Sequence, residues 1–139
     1  MKISRSMCVR TFSLTLAAVL AASVSLAANN PSLATTSQFQ GPKANTGTAM
    51  FFKEGGKNML KVSDDFKVPD TPAPTWRVVD SKGNTYTLDA FKIKEGLGNG
   101  EKRQVIVPAY IHDIVTVQVY CAWAQVLLGE AKFSSVVKP

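Results

Sequence analysis

The stretch Ile114–Leu128, which reads I-V-T-V-Q-V-Y-C-A-W-A-Q-V-L-L, decides the fold of this chain. Its first half alternates, with Val115, Val117, Val119 and Cys121 on one parity and Thr116, Gln118 and Tyr120 on the other. A period of two with β-branched residues on the apolar side is typical of a half-buried strand. The pattern therefore predicts a strand whose register directs the Cys121 side chain into the core. The second half, 122–128, could form a helix by propensity. It follows the strand without a break signal, so we expect it to stay extended.

Short β-rich runs separated by turn residues fill the rest of the chain. The runs 47–52 and 59–62 flank adjacent glycines and predict a hairpin. The proline-rich segment 69–74 and the glycine-rich segment 95–101 are expected to be loops. No convincing amphipathic helix is present. The sequence thus predicts an all-β protein of about seven to nine short strands, either an antiparallel β-sandwich or a closed sandwich-like barrel.

The first 27 residues have the layout of a secretory signal peptide. Lys2, Arg5 and Arg10 precede an apolar run at 12–26 that ends in small residues. The run is shorter than the ~20 residues that a transmembrane helix needs. We therefore expect cleavage after Ala27 and a periplasmic or secreted protein with no membrane span after cleavage.

The processed chain is expected to contain a flexible lead-in at 28–38 and one domain at 39–139. Cleavage removes three basic residues and no acidic one, which lowers the formal net charge from +6 to +3. The remaining lysines are scattered among acidic residues, and no clustered basic patch is visible. This charge pattern argues against a nucleic-acid partner.

Cys121 becomes the only cysteine once Cys8 has left with the signal peptide. It cannot close an internal disulfide, and no C-x-x-C motif is present. Three uses stay open: a buried apolar residue, a disulfide that links two copies, or a lone redox or ligand thiol. Core parity favours the first of these uses.

No catalytic set can be assembled around the other reactive residues. His112, the sole histidine, is nine residues from Cys121 and has the opposite parity, so it is not expected to activate the thiol. His112 and Asp113 alone have too few ligands for a metal site, and no motif for a cofactor is recognisable. We expect no stand-alone enzymatic activity. Most aromatic side chains are expected to fill the core, with Tyr120 the best candidate for exposure.

A set of spaced elements between Phe39 and Phe133 resembles the DM13 domain family. These elements are Gly47-Thr48-Ala49, Asp65-Phe66 with Val68-Pro69-Asp70, Trp76–Val79, Gly100–Pro108 and Val115–Ala131. The resemblance implies a β-sandwich and a part in electron transfer through Cys121, with any cofactor or partner supplied by another protein. The alternative is a non-catalytic binding or adhesion module. Such a module would present the loops 69–74 and 95–101 to a protein partner in the cell envelope.

Overall fold

The chain forms two antiparallel sheets of four strands each, packed as a sandwich. The structure, a computed structural model, describes residues 33–95 and 98–139, so the predicted signal peptide lies outside the described residues. The strands are β1 Leu33–Thr35, β2 Ala49–Glu54, β3 Lys57–Val62, β4 Pro74–Val79, β5 Thr85–Ala90, β6 Lys92–Glu95, β7 Gly98–Glu101, β8 Gln104–Ile106, β9 Ile114–Cys121 and β10 Val126–Val137.

Sheet 1 has the strand order β1-β2-β3-β8, and sheet 2 has the order β10-β9-β4-β5. Strands β6 and β7 pair only with each other. The described residues contain no helix, and the sheets do not close into a barrel. The prediction of an antiparallel β-sandwich is therefore confirmed, and its barrel form is excluded.

The predicted hairpin with a Gly-Gly turn is confirmed as β2–β3. Gly55 and Gly56 take φ values of 55° and 75°, which side chains with a Cβ adopt only at a cost. Positive φ at both central residues is the requirement of the type I′ hairpin turn. The register from this turn sets Phe51 opposite Leu60. Both side chains are fully buried in the core.

The central stretch forms a hairpin, so the expectation that 122–128 stays extended is wrong for 122–125, while 126–128 are extended but belong to the next strand. Strand β9 ends at Cys121, and a turn at 122–125 reverses the chain into β10. Val126 then pairs with Cys121. Reversal lets the apolar residues after the turn bond to β9, whereas a longer strand would leave backbone groups without partners beyond the sheet.

Four aromatic rings stack through the core and connect distant parts of the chain. Ring centroids are 5.0 Å apart for Phe39 and Phe66, 5.6 Å for Phe66 and Phe91, and 4.4 Å for Phe91 and Trp76. Trp76 Nε1 donates to the Lys102 carbonyl oxygen at 3.0 Å, which satisfies the only polar atom of the indole. The stack joins the N-terminal segment to sheet 2.

The described part of the predicted flexible lead-in, residues 33–38, is ordered. It contains β1, and Thr36 then forms a bridge with Phe133 of β10. Gln40 and Glu130 exchange two backbone hydrogen bonds of 2.8 and 2.9 Å. The segment therefore crosses from sheet 1 to sheet 2 and covers the edge of β10, a place where an open strand would invite aggregation.

The prediction of a loop at 95–101 is also wrong for the residues of this segment that the structure describes. Strand β7 occupies 98–101 and pairs with β6, while 96–97 lie outside the described residues. Ile93 is opposite Gly100, and Lys94 is opposite Asn99. Backbone pairing needs no side chains, so a glycine-rich strand of this kind shows no period-two pattern in the sequence.

Candidate functional site

Cys121 is the last residue of β9 and lies under the β9–β10 turn. It pairs with Val126 of β10 on one side and with Pro74 of β4 on the other. The residue is 1% exposed and belongs to the hydrophobic core. The prediction that its register points inward is confirmed, and it is the only cysteine among the described residues.

Hydrogen-bond donors converge on the Cys121 sulfur. The Ala124 N–H donates to Sγ at 3.5 Å. This hydrogen bond is the largest cause of a lowered Cys121 pKa, burial opposes it, and the amides of Ala73 and Trp123 lower the pKa further. Donors to sulfur stabilise the thiolate, the form of cysteine that reacts.

Thr71 supplies a buried hydroxyl beside this sulfur. Its Oγ1 has no exposed surface and no hydrogen-bond partner among the described residues. The hydroxyl makes the smallest of the contributions that lower the Cys121 pKa. A thiolate at Cys121 would give this donor a stronger acceptor than the thiol does. No sequence pattern points to Thr71, because the contact comes from the proline-rich loop folding back on β9.

The proline-rich loop 69–74 and the turn 122–125 lie side by side. The Ala122 N–H donates to the Ala73 carbonyl oxygen at 3.0 Å, which ties the two segments together. At the far side of the loop, Lys92 Nζ donates to the Thr71 carbonyl oxygen at 3.0 Å. These bonds join the loop to two neighbouring segments.

The β9–β10 turn carries the most exposed aromatic side chain of the described residues. Trp123 is 75% exposed, and Val126 and Leu127 beyond the turn are also exposed. No residue from 120 to 129 carries a charge. The turn above Cys121 is therefore apolar and uncharged, and exposed apolar surface of this kind is common at interaction sites.

Tyr120 is less exposed than its parity indicated, so its selection as the best candidate for exposure is wrong. It faces out of sheet 2, but the Arg77 guanidinium carbon lies 3.9 Å from the centre of its ring and covers it. Arg77 Nε also donates to Gln118 Oε1 at 2.8 Å. Among the described residues, Trp123 and the 62%-exposed Tyr110 are the aromatic residues in solvent.

His112 is exposed and precedes β9. Its neighbour Asp113 accepts hydrogen bonds from the Ser81 N–H and hydroxyl at 2.6 and 3.0 Å, which fixes the β4–β5 turn. The described residues hold no group of three or more His, Cys, Asp and Glu side chains placed to bind a metal ion. The structure therefore brings neither His112 nor Asp113 into a chemical cluster.

An open cleft of about 560 Å³ separates the edge strands β5 and β8. Leu88, Val105, Ile106 and Tyr110 contribute its apolar lining. Two ion pairs, Lys102 with Asp89 and Arg103 with Glu101, lie along it. Because the charged groups of the cleft are mutually paired, it has no net charge to attract an ion.

In the part of the chain that the structure describes, no helix has the length and apolar character to cross a membrane. Comparison with protein-family models, with curated proteins and with solved structures found no match for this chain.

Proposed function

We propose that this chain is a non-catalytic extracytoplasmic binding module. Its contact surface is the loop end, defined as the proline-rich loop 69–74 together with the turn 122–125. The observation that carries the proposal is the 75% exposure of Trp123 on a turn held between two paired strands. Tryptophan is among the residues that contribute most to binding at protein interfaces.

The backbone of the loop end is restrained before any partner arrives. Three prolines fix φ in the loop, and the Ala122–Ala73 hydrogen bond holds the turn against it. A surface that is already ordered loses less entropy on association than a mobile loop does. The expected partner is a protein of the cell envelope with an apolar pocket for the indole.

Capture of partners from a cell-envelope extract tests this proposal. Trp123→Ser removes the anchor without touching the core, and Val136→Ser removes an exposed side chain of β10 as the matched control. A binding anchor of this kind is worth ~2 kcal/mol or more, so the affinity for the purified captured protein should fall about thirtyfold in Trp123→Ser only. Equal binding by both variants would contradict the proposal.

The second candidate is the electron-transfer role that the DM13 resemblance implies for Cys121. The hydrogen bond from Ala124 and the lowered thiol pKa favour it, because they stabilise the reactive thiolate. The burial of the sulfur opposes it, because a redox partner would have to displace the turn. A disulfide between two copies through Cys121 would need the same displacement. Access to the sulfur in the folded protein therefore decides between the two candidates.

A further inference from the structure

The outer face of sheet 1 carries a row of apolar side chains that crosses all four strands. Leu33 is opposite Phe52, Phe52 is opposite Met59, and Met59 is opposite Ile106. Leu33 is 60% exposed and Ile106 is 49% exposed, while Phe52 and Met59 between them are more covered. With strands ~4.8 Å apart, the row is roughly 14 Å long. We call it the apolar row.

Two lysines flank the apolar row on the same face. Lys57 and Lys61 stand two residues before and after Met59 in β3, and side chains two apart share a face of a sheet. Both are exposed, and neither has a carboxylate within 4.0 Å among the described residues. Glu54 of β2 shares this face and is opposite Lys57, whereas Lys53 lies on the other face. The face is therefore apolar in its middle and carries two lysines and one carboxylate beside it, a net charge of +1.

This combination selects among the occupants that an apolar face could have. A second copy placed face to face would bring together two faces that each carry a net positive charge, and like charges repel. A neutral apolar partner would leave the excess positive charge of the face without a counter-charge. A negatively charged lipid surface satisfies both features, because its phosphates attract lysines and its interface accepts exposed apolar side chains.

We propose that the outer face of sheet 1 docks on an anionic phospholipid surface. Leu33, Phe52 and Ile106 enter the interface, and Lys57 and Lys61 meet lipid phosphates. The site is distinct from the loop end, which contains no lysine or arginine, and it does not depend on the proposed binding partner. It would hold the protein at a membrane surface while the loop end engages its partner.

Co-sedimentation with vesicles tests the proposal. The protein is purified after export, so every variant has the same N-terminus and any contribution from that end is common to all. Vesicles of phosphatidylcholine alone are compared with vesicles of equal parts phosphatidylcholine and phosphatidylglycerol. We expect binding only to the anionic vesicles, with a partition coefficient that decreases as salt is added.

The variants separate the charge from the apolar row. Lys57→Gln and Lys61→Gln should each lower the partition coefficient about fivefold. Ile106→Ser alone should lower it by a larger factor. Lys82→Gln, in the turn of sheet 2, and Val136→Ser, on β10, are the matched controls and should leave it unchanged. The substituted side chains are exposed, and circular dichroism checks that each variant folds.

Three outcomes would overturn the proposal. The first is equal binding to both kinds of vesicle, and the second is an equal loss in the control variants. The third is that Trp123→Ser alone abolishes binding, which would assign lipid contact to the loop end. Analytical ultracentrifugation covers the remaining occupant: a dimer of the wild-type protein that Ile106→Ser converts to a monomer would show that the face binds a second copy.

Discussion

At the residue scale, the surroundings of Cys121 favour ionisation of its thiol but cover the sulfur from solvent. The Ala124 N–H favours the thiolate, but the residue is 1% exposed because the turn covers it. Reactivity requires both a thiolate and a path for the reagent. Parity alone predicted the burial, because Val117, Val119 and Cys121 alternate as a core-facing set. Neither the Ala124 donor nor Thr71 could be predicted, because turn and loop geometry brings both to the sulfur.

Alkylation of Cys121 by iodoacetamide measures both the accessibility of the sulfur and the pKa of the thiol. We expect the folded protein to react more slowly than the denatured protein, since the turn must open first. The rate in the folded protein should rise with pH through an apparent pKa below the ordinary value of 9.0, because hydrogen bonds stabilise the folded-state thiolate. Mass spectrometry of the alkylated protein across a pH series gives both results, and Cys121→Ser is the unreactive control.

The same experiment decides the redox candidate. If a folded-state reaction occurs, hydrogen peroxide should oxidise the thiolate to a sulfenic acid, with cleavage of the O–O bond and release of hydroxide, and Cys121→Ser should lose this product. If Cys121 reacts only after denaturation, the electron-transfer proposal has no accessible nucleophile.

At the element scale, β10 depends on a glycine where the N-terminal segment crosses it. A Cβ at Gly129 would overlap the Ala44 carbonyl oxygen and would lie 2.8 Å from the Ala44 Cβ. The amides of Lys43 and Ala44 both donate to the Leu128 carbonyl oxygen, at 3.0 and 2.9 Å. Close contact of two backbones is therefore what attaches the segment to the strand.

Gly129→Ala is expected to lower the free energy of unfolding by ~1–3 kcal/mol, because the added methyl group forces the N-terminal segment away from β10. Ser134→Ala, at an exposed position of the same strand, should change it by less than ~0.5 kcal/mol. Urea denaturation measures both values. Hydrogen exchange should show faster exchange of the Lys43 and Ala44 amides in Gly129→Ala, and unchanged exchange would show that the segment tolerates a side chain there.

Elements with period-two patterns or glycine turns could be predicted from the sequence. The hairpins β6–β7 and β9–β10 lack such signals and could not be predicted. The β2–β3 hairpin has adjacent glycines that permit positive φ. The turn at 122–125 reads A-W-A-Q and lacks Gly, Pro, Asn and Asp, the usual turn residues. Gln125 nevertheless takes a φ of 54°, which nothing in its chemistry indicates. Pairing of β10 with β9 therefore overrides the local conformational preference of residues 122–125. Because this turn was not predicted, the exposure of Trp123 was not predicted either.

At the scale of the whole molecule, the sandwich is held together by its core and by the crossing segment 36–44. Phe39 in this segment is fully buried and contacts Phe66, from which the aromatic stack leads through Phe91 to Trp76 of sheet 2. The crossing segment follows β1 of sheet 1 and bonds to β10 of sheet 2. Separation of the two sheets would break this stack, so we expect the two sheets to unfold together.

Phe39→Ala tests this coupling. Removing a fully buried phenylalanine should cost ~3–5 kcal/mol through lost burial and the cavity that is left. Leu33→Ala, at a 60%-exposed position of β1, is the control and should cost much less. In a Trp123→Phe background, the fluorescence of Trp76 reports on sheet 2 alone, while far-ultraviolet circular dichroism reports on all strands. Urea unfolding should give one transition at the same midpoint by both probes, shifted to lower urea in Phe39→Ala. A Trp76 transition that keeps its midpoint while the circular dichroism signal shifts would mean that sheet 2 is stable without the crossing segment.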